Sequence, residues 1–231
     1  MVGESGRRAE RAVVASCTLS RVAERRRRRA WFDTRMALNI TGDAPADALL
    51  TDDPFALLVG MLLDQQVPME TAFAGPAKIR ERMGSFDAET IASVAPEALA
   101  AVFKESPAVH RFPGSMAARV QALAAEVRDE WGGRADAIWT RPGLDGLAPD
   151  GAEILRRLQE LPGFGEQKAT IFLALLGKQC GLEADGWREA AGDYGVQGSY
   201  RSVADIVDAD SLAKVREAKK AAKAKSNAAK G

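Results

Sequence analysis

One short segment has the composition of a turn that can hold an anion: Leu161-Pro162-Gly163-Phe164-Gly165. Its two glycines permit backbone angles that are closed to other residues, and they let a ligand approach the main chain. A helix that starts directly after them presents unpaired N–H groups at its positively polarised end. Because phosphates bind at such helix starts, the segment predicts a binding site for an anion such as a phosphate.

A histidine and several aromatic residues could contact a nucleotide. The single histidine of the chain, His110, could touch a phosphate or an extruded nucleotide, although capping a loop is the more common use of such a residue. Four aromatic side chains could stack an extruded base, although burial in a core is their more common fate. They are Trp131, Trp139, Trp187 and Tyr200.

Two apolar helices are predicted to position the turn. Apolar residues recur at helical spacing from Ala152 to Leu161, and again from Gly165 to Gly177. Pro162 ends the first helix, and the connection is only a few residues long. The sequence therefore predicts a helix-hairpin-helix unit over residues 152–177.

The periodicity of the rest of the chain is also helical. Asp53-Pro54 is a good helix start, and this helix is predicted to run to about Gln66. Further helices are predicted at 68–82, 87–93, 96–103 and 113–131. No stretch alternates apolar and polar residues over the length of a strand. The predicted fold class is all-α, in one large domain or in two helical lobes.

Composition narrows the class of protein. The chain has 231 residues, 46% of them hydrophobic, which is enough for a sizeable core. No apolar run approaches the roughly 18 residues of a membrane span, and no secretory signal is visible, so we expect a cytoplasmic protein. Two cysteines, Cys17 and Cys180, are too few for a disulfide framework or an iron-sulfur cluster.

Charge is distributed unevenly along the chain. Residues 1–35 hold 10 Arg and 4 acidic residues, residues 36–209 hold 15 basic and 26 acidic residues, and residues 210–231 hold 7 basic and 2 acidic residues. We expect these ranges to be a basic, disordered extension, a helical domain and an Ala/Lys-rich tail. The acidic central range argues against general electrostatic attraction between this protein and DNA. Any such attraction must be local or come from the basic ends of the chain.

The predicted hairpin resembles that of the helix-hairpin-helix/Gly-Pro-Asp (HhH-GPD) superfamily of base-excision DNA repair glycosylases. In that family the pattern Leu-Pro-Gly-apolar-Gly-x-x-x-Ala contacts the DNA backbone beside the lesion, and here it runs from Leu161 to Ala169. The resemblance covers roughly residues 50–190 and is closest in character to a compact bacterial branch without an iron-sulfur cluster. It implies DNA contacts by Leu161, Pro162, Gly163, Phe164, Gly165, Gln167 and Lys168.

A second motif of the family lies upstream. Members carry an early helix of the form Pro-Phe-x-x-Leu-x-x-x-x-Leu ending in Gln, matched here by Pro54, Phe55, Leu58, Leu63 and the pair Gln65-Gln66. In relatives, a Gln at this place probes the duplex where the damaged base has been turned out. The resemblance therefore implies DNA contacts by Gln65 and Gln66.

The resemblance also implies a catalytic carboxylate, eighteen residues after the position that holds a nucleophilic Lys in bifunctional members. That position is Gln167, and the count leads to Asp185. A carboxylate can stabilise the oxocarbenium-like sugar that forms as the glycosidic bond breaks, and it can orient or deprotonate the attacking water. Because Gln167 cannot form a Schiff base, we expect a monofunctional N-glycosylase that leaves the strand uncut.

The surroundings of Asp185 depart from the family pattern. Gly186-Trp187-Arg188 follow it, where the family commonly has a small residue, a polar residue and valine. Asp193 is a second candidate carboxylate. Lys168 lies about 100° around the helix from Gln167, so we expect it to make a phosphate or surface contact. Candidates for the base pocket are Trp187, because it neighbours Asp185, and His110.

The expected ligands are few. We expect no metal and no cofactor, apart from a monovalent cation that carbonyls of the hairpin could bind. We expect the protein to be a monomer whose partner is double-stranded DNA with a damaged base. We expect no association with a membrane. Two other functions remain open: a non-catalytic DNA-binding module, and a protein-interaction element of a repair complex. Binding that weakens steeply with salt would separate the DNA-binding functions from the last.

Overall fold

Residues 37–228, the part of the chain that the computed structural model describes, form α-helices and short 3-10 turns without a strand. The all-α prediction is confirmed, while the predicted extension at residues 1–35 lies outside the described residues. The helices are α1 (Ala44–Asp52), α2 (Pro54–Leu63), α3 (Met69–Phe73), α4 (Gly75–Met83), α5 (Ala88–Ser93), α6 (Pro96–Lys104), α7 (Pro113–Trp131), α8 (Ala137–Thr140), α9 (Gly151–Gln159), α10 (Glu166–Gln179), α11 (Trp187–Ala190) and α12 (Ala209–Ala228). Two 3-10 turns, Gly192–Tyr194 and Val203–Asp205, lie between α11 and α12.

Helix α2 is the centre of the first group of helices. The Asp53 carboxylate caps its start by accepting a hydrogen bond from the Phe55 N–H at 2.8 Å. Every residue from Phe55 to Leu63 is buried, because α1, α3, α4 and α7 pack around the helix. A helix that is apolar on all sides is stable only in such a core.

Helix α10 is the centre of the second group. It packs against α9, α11 and both 3-10 turns, and it also contacts α2. Under the connection between α9 and α10, the Phe172 ring makes edge contacts with Trp139 and Phe164, with ring centroids 5.8 Å and 5.9 Å away. At the other end of α10, Lys178 forms a buried ion pair with Asp205 at 2.6 Å. These contacts fix both ends of the hairpin.

The helix bounds differ from the predicted ones at two places. Helix α2 ends at Leu63 and not near Gln66, because Gln66 adopts the left-handed conformation with a φ of +57°. The single helix predicted over 68–82 is interrupted at Ala74, since Pro76 begins a new helix and cannot donate a backbone hydrogen bond. Helices α1, α8 and α11 were not predicted.

The C-terminal range forms a long helix. Helix α12 extends to Ala228, beyond the short helical start that its sequence predicts. Val215 is fully buried on one of its faces, and the Ser211 hydroxyl accepts hydrogen bonds from the Val207 and Asp208 N–H groups before the first turn. The helix is therefore anchored to the rest of the fold at its beginning.

Candidate nucleic-acid interface

The turn between α9 and α10 packs on the core with one side and is exposed to solvent on the other. Leu161 and Phe164 are buried and anchor it to the core, whereas Gly163, Gly165 and Gln167 are exposed. Gly165 is the N-cap of α10, and no side chain caps this helix start. The first N–H groups of α10 are therefore available to an anion, as the sequence predicts.

The two glycines of the turn have different roles. Gly163 has a φ of +81°, and a Cβ atom there would lie 2.5 Å from Leu62 Cδ1. Gly165 has an ordinary φ of −85°, and a Cβ atom there would meet nothing within 4 Å. Only Gly163 is thus required by the fold, and the expectation of a special backbone angle is wrong for Gly165.

Lys168 joins this turn to the end of α2. Its Nζ atom donates hydrogen bonds to the carbonyl oxygens of Met61 and Leu62, at 2.8 Å and 2.5 Å. Carbonyls in the last turn of a helix lack partners within the helix, so the ammonium caps α2. Lys168 was predicted to make a phosphate or surface contact. It instead links the hairpin motif to the motif at the end of α2.

Burial lowers the pKa of Lys168 to about 8 from its ordinary 10.5. The Asp64 carboxylate opposes this shift by favouring the charged form, and the Arg119 guanidinium adds to it by repulsion. The site therefore holds a partly desolvated cation close to one carboxylate and one further cation.

We expect this burial to appear in the pH dependence of stability. Between about pH 8 and pH 10.5 the unfolded chain holds more protons at Lys168 than the folded chain, so stability rises with pH. The difference in free energy of unfolding between wild type and Lys168→Met should increase by about 2 to 3 kcal/mol over this range, measured by urea unfolding. The difference between wild type and Lys104→Met, at an exposed lysine, should stay flat. A flat difference for Lys168→Met as well would contradict the burial of its ammonium.

The turn that follows α2 is held rigidly through Gln65. The Gln65 side chain donates to the Leu62 carbonyl at 3.0 Å and accepts from Arg119 at 3.0 Å, while its main-chain carbonyl accepts from His110 at 2.9 Å. Gln66 is exposed, and among residues 37–228 it is the one non-glycine residue in the left-handed region. Such a conformation costs about 1 to 2 kcal/mol and persists only where the surroundings impose it. The turn therefore presents the Gln66 side chain at the surface.

His110 supports this turn and does not line an open pocket. It is 2% exposed, and both ring nitrogens are engaged. Nδ1 accepts from the Phe112 N–H at 3.1 Å, which makes Nε2 the donor to the Gln65 carbonyl. The base-pocket role is thus wrong for His110, and the alternative role of a capping residue is correct.

Gln167 faces a segment that follows α11 in the chain. Its Nε2 atom donates to the Tyr194 hydroxyl at 3.1 Å. The neighbouring Asp193 is exposed and accepts from Arg201 at 2.7 Å. The chain therefore returns to the start of α10 at the 3-10 turn Gly192–Tyr194, and it brings a carboxylate with it.

Asp185 is not brought together with the phosphate-binding turn. Its carbonyl accepts from the Gly151 N–H at 2.7 Å, which places it at the start of α9. Helix α9 has nine residues, a length of about 13 Å, and the turn follows its opposite end. We therefore do not retain Asp185 as the catalytic residue.

Trp187 and the other aromatic residues serve mainly in packing. Trp187 is buried against Gly177, near the far end of α10, where a Cβ atom on that glycine would lie 2.5 Å from the indole ring. Gly177 lies twelve residues, about 18 Å, along α10 from Gly165, so we do not retain Trp187 as a base-pocket residue. Trp139 is in the core, Trp131 lies beside Arg141, and the exposed Tyr200 lies beside Lys214.

Three residues of this surface had no signal in the sequence. Asp64 is the C-cap of α2, Arg119 lies within α7, and Tyr194 belongs to a short 3-10 turn. None of them forms part of a motif, and only the packing of distant segments brings them together.

Within residues 37–228, no three His, Cys, Asp or Glu side chains are grouped so that they could hold a metal ion.

The geometry defines a helical protein in which an exposed hairpin turn, at the uncapped start of α10, lies beside a second turn with an exposed glutamine. A family model, the HhH-GPD superfamily of base excision DNA repair proteins, matches residues 59–228. The match spans most of the chain, from the second half of α2 through α12, so the chain belongs to this superfamily. Its function therefore lies in base excision DNA repair and includes binding to DNA. Comparison with curated proteins gives no significant match. None of the helices between residues 37 and 228 has the length and apolar character that crossing a bilayer requires.

Proposed function

We propose that the chain is a monofunctional DNA N-glycosylase that removes a damaged or mispaired base and leaves the strand uncut. One observation carries this proposal: the hairpin turn and the Gln66 turn adjoin each other. Gly163 packs against Leu62, and Lys168 caps the end of α2 two residues before Gln65. A phosphate bound at the hairpin would therefore lie beside the side chain that probes the duplex.

Each part of this surface has a defined task in the proposed reaction. The free N–H groups at the start of α10 hold a backbone phosphate. Gln66 enters the base stack and fills the space left by the extruded nucleotide, which offsets part of the cost of unstacking. Because hydrogen bonds fix Gln65, little conformational entropy of the main chain of this turn is lost when the neighbouring side chain enters the stack.

Asp193 is the carboxylate that we assign to the chemical step. It neighbours Tyr194, the hydrogen-bond partner of Gln167, and its exposed side chain can reach a sugar. The carboxylate would stabilise positive charge on the sugar as the C–N bond breaks, and it would orient the water whose oxygen bonds to C1′. The base leaves with the bonding electron pair and takes up a proton.

Asp64 is the other carboxylate near the two turns, and it suits this step less well. Its side chain is 16% exposed and lies between two cations, Lys168 and Lys219, the latter 3.8 Å away. Because so little of the Asp64 side chain is exposed, a sugar reaches it less easily than it reaches Asp193, whose side chain is 74% exposed beside Arg201. Asp64 is better suited to holding these cations beside the turn.

Gln167 is the reason for proposing hydrolysis without strand cleavage. Its amide has no nucleophilic nitrogen and cannot form the Schiff base that precedes β-elimination. Lys168, the next residue, uses its Nζ atom to cap α2. The chain thus lacks a free amine at the position where bifunctional members of the family have one.

The proposal is tested with duplexes that contain uracil, alkylated purines, oxidised bases or mismatches. We expect wild type to produce abasic sites in at least one duplex, revealed by alkali cleavage, and Gln66→Ala to produce them about 10-fold more slowly or worse. Borohydride should trap no covalent complex with an abasic duplex.

Two outcomes would contradict the proposal. A trapped complex that disappears in Lys168→Met would assign a lyase to this amine. Tight, salt-sensitive DNA binding without excision of any base would indicate a non-catalytic binding module.

A further inference from the structure

Helix α12 places basic side chains next to the Gln66 turn. Arg216 pairs with Glu70, and Lys219 Nζ lies 3.8 Å from Asp64 Oδ2 and 3.5 Å from Met69 Sδ. These partners are residues on either side of the exposed Gln66. The C-terminal range, expected as an Ala/Lys-rich tail, thus reaches the surface that the family motifs define.

The charge of this surface would otherwise be unfavourable for DNA. Residues 36–209 hold 26 acidic and 15 basic residues, and two of the acids, Asp64 and Glu70, flank the turn that must approach the phosphates. Uncompensated carboxylates there would repel the DNA backbone. Arg216 and Lys219 neutralise both of them, so α12 removes a barrier to binding.

The helix also has basic groups that face solvent. The Arg216 side chain is 61% exposed, the Lys219 side chain is 44% exposed, and Lys220 is exposed as well. Arg216 and Lys220 are four residues apart, so they share one face of the helix. Val215 anchors the opposite side to the core. The helix continues nine residues beyond Lys219, a length of about 13 Å.

We propose that α12 is a second contact surface for the DNA backbone, which continues the interface from the Gln66 turn along the phosphates. This inference rests on the proposed function only in that the hairpin and Gln66 must bind duplex DNA. It assigns the electrostatic part of binding to α12, since the rest of the described surface is predominantly acidic. The hairpin then fixes the register, and α12 supplies the charge that draws the duplex to it.

The test is a salt titration of DNA binding. The probe is a fluorescent 20-base-pair duplex with a central tetrahydrofuran abasic analogue, followed by anisotropy from about 50 to 200 mM salt. We expect Lys219→Gln/Lys220→Gln to bind about 10-fold more weakly at the lowest salt concentration. The slope of log affinity against log salt should become shallower by about 0.9 for each phosphate that the variant no longer neutralises.

A matched control removes the same number of charges from α6 and α7. Lys104→Gln/Arg128→Gln should keep the affinity and the slope of wild type, because the exposed Lys104 and the half-buried Arg128, which pairs with Asp129, both lie outside the proposed interface. Glu217→Lys, which adds positive charge to an exposed position of α12, should tighten binding and steepen the slope.

The outcomes separate this inference from the proposed function. If wild type binds the duplex and the α12 variant has the slope of the control, α12 is not a DNA contact and the glycosylase proposal stands. If neither wild type nor any variant binds the duplex, the proposed function fails. If the double variant does not fold, Lys220→Gln alone decides, with an expected slope change of about 0.9 and an unchanged slope as the contrary result.

Discussion

Replacing Gly163 with alanine is expected to lower the free energy of unfolding by about 2 to 4 kcal/mol. An alanine at φ +81° costs about 1 to 2 kcal/mol, and its Cβ atom would lie 2.5 Å from Leu62 Cδ1. Relief of this contact would push the hairpin turn away from the end of α2. Urea unfolding followed by circular dichroism measures the change.

Gly165→Ala is the matched control, because its Cβ atom would meet nothing in the protein and its φ is ordinary. We expect its stability to remain within about 0.5 kcal/mol of wild type. Its affinity for duplex DNA should nevertheless fall about 10-fold, since the added methyl group lies where a phosphate approaches the main chain. Unchanged affinity in Gly165→Ala would show that no phosphate comes close to this residue.

Asp193→Asn is expected to slow base excision by about 100-fold or more, the usual effect of removing a carboxylate that acts on the transition state. Affinity for the abasic duplex should change by less than about 3-fold, because Asn keeps the size of the side chain. Single-turnover excision on the duplex that wild type processes best measures this change.

Asp185→Asn serves as the control for this experiment, since the residue lies at the far end of α9. It should excise at the wild-type rate, and Asp64→Asn should affect binding more than the rate. A slow Asp185→Asn together with a normal Asp193→Asn would return the catalytic role to the residue that the spacing of the family motif indicates.

The helices could largely be predicted from sequence because their signals are local. Pro54, Pro96 and Pro113 stand at the starts of α2, α6 and α7, and Gly84 and Gly132 end α4 and α7 in the left-handed conformation. The end of α2 was misplaced because the Gln66 turn has neither glycine nor proline to mark it. Its conformation comes from His110 and Arg119, which are distant in sequence.

The candidate site was predictable only where a motif carries it. The hairpin and the Gln65-Gln66 pair adjoin as the family pattern implies, since Gly163 packs on Leu62. Counting residues leads to Asp185 because it assumes that the chain returns to α10 directly. The chain instead packs Trp187 against Gly177 first and returns only at Tyr194.

The hydrogen bonds around Gln65 have a consequence for how the protein would search DNA. Because the turn that carries Gln66 is already held in place, it needs no rearrangement at each base step, so the time spent per step is not limited by a loop that must order. Discrimination would then depend on the duplex: the step that unstacks most easily, as at a damaged or mismatched pair, admits Gln66 first. Recognition of a lesion would therefore depend first on the local flexibility of the DNA, before any contact with the altered base itself.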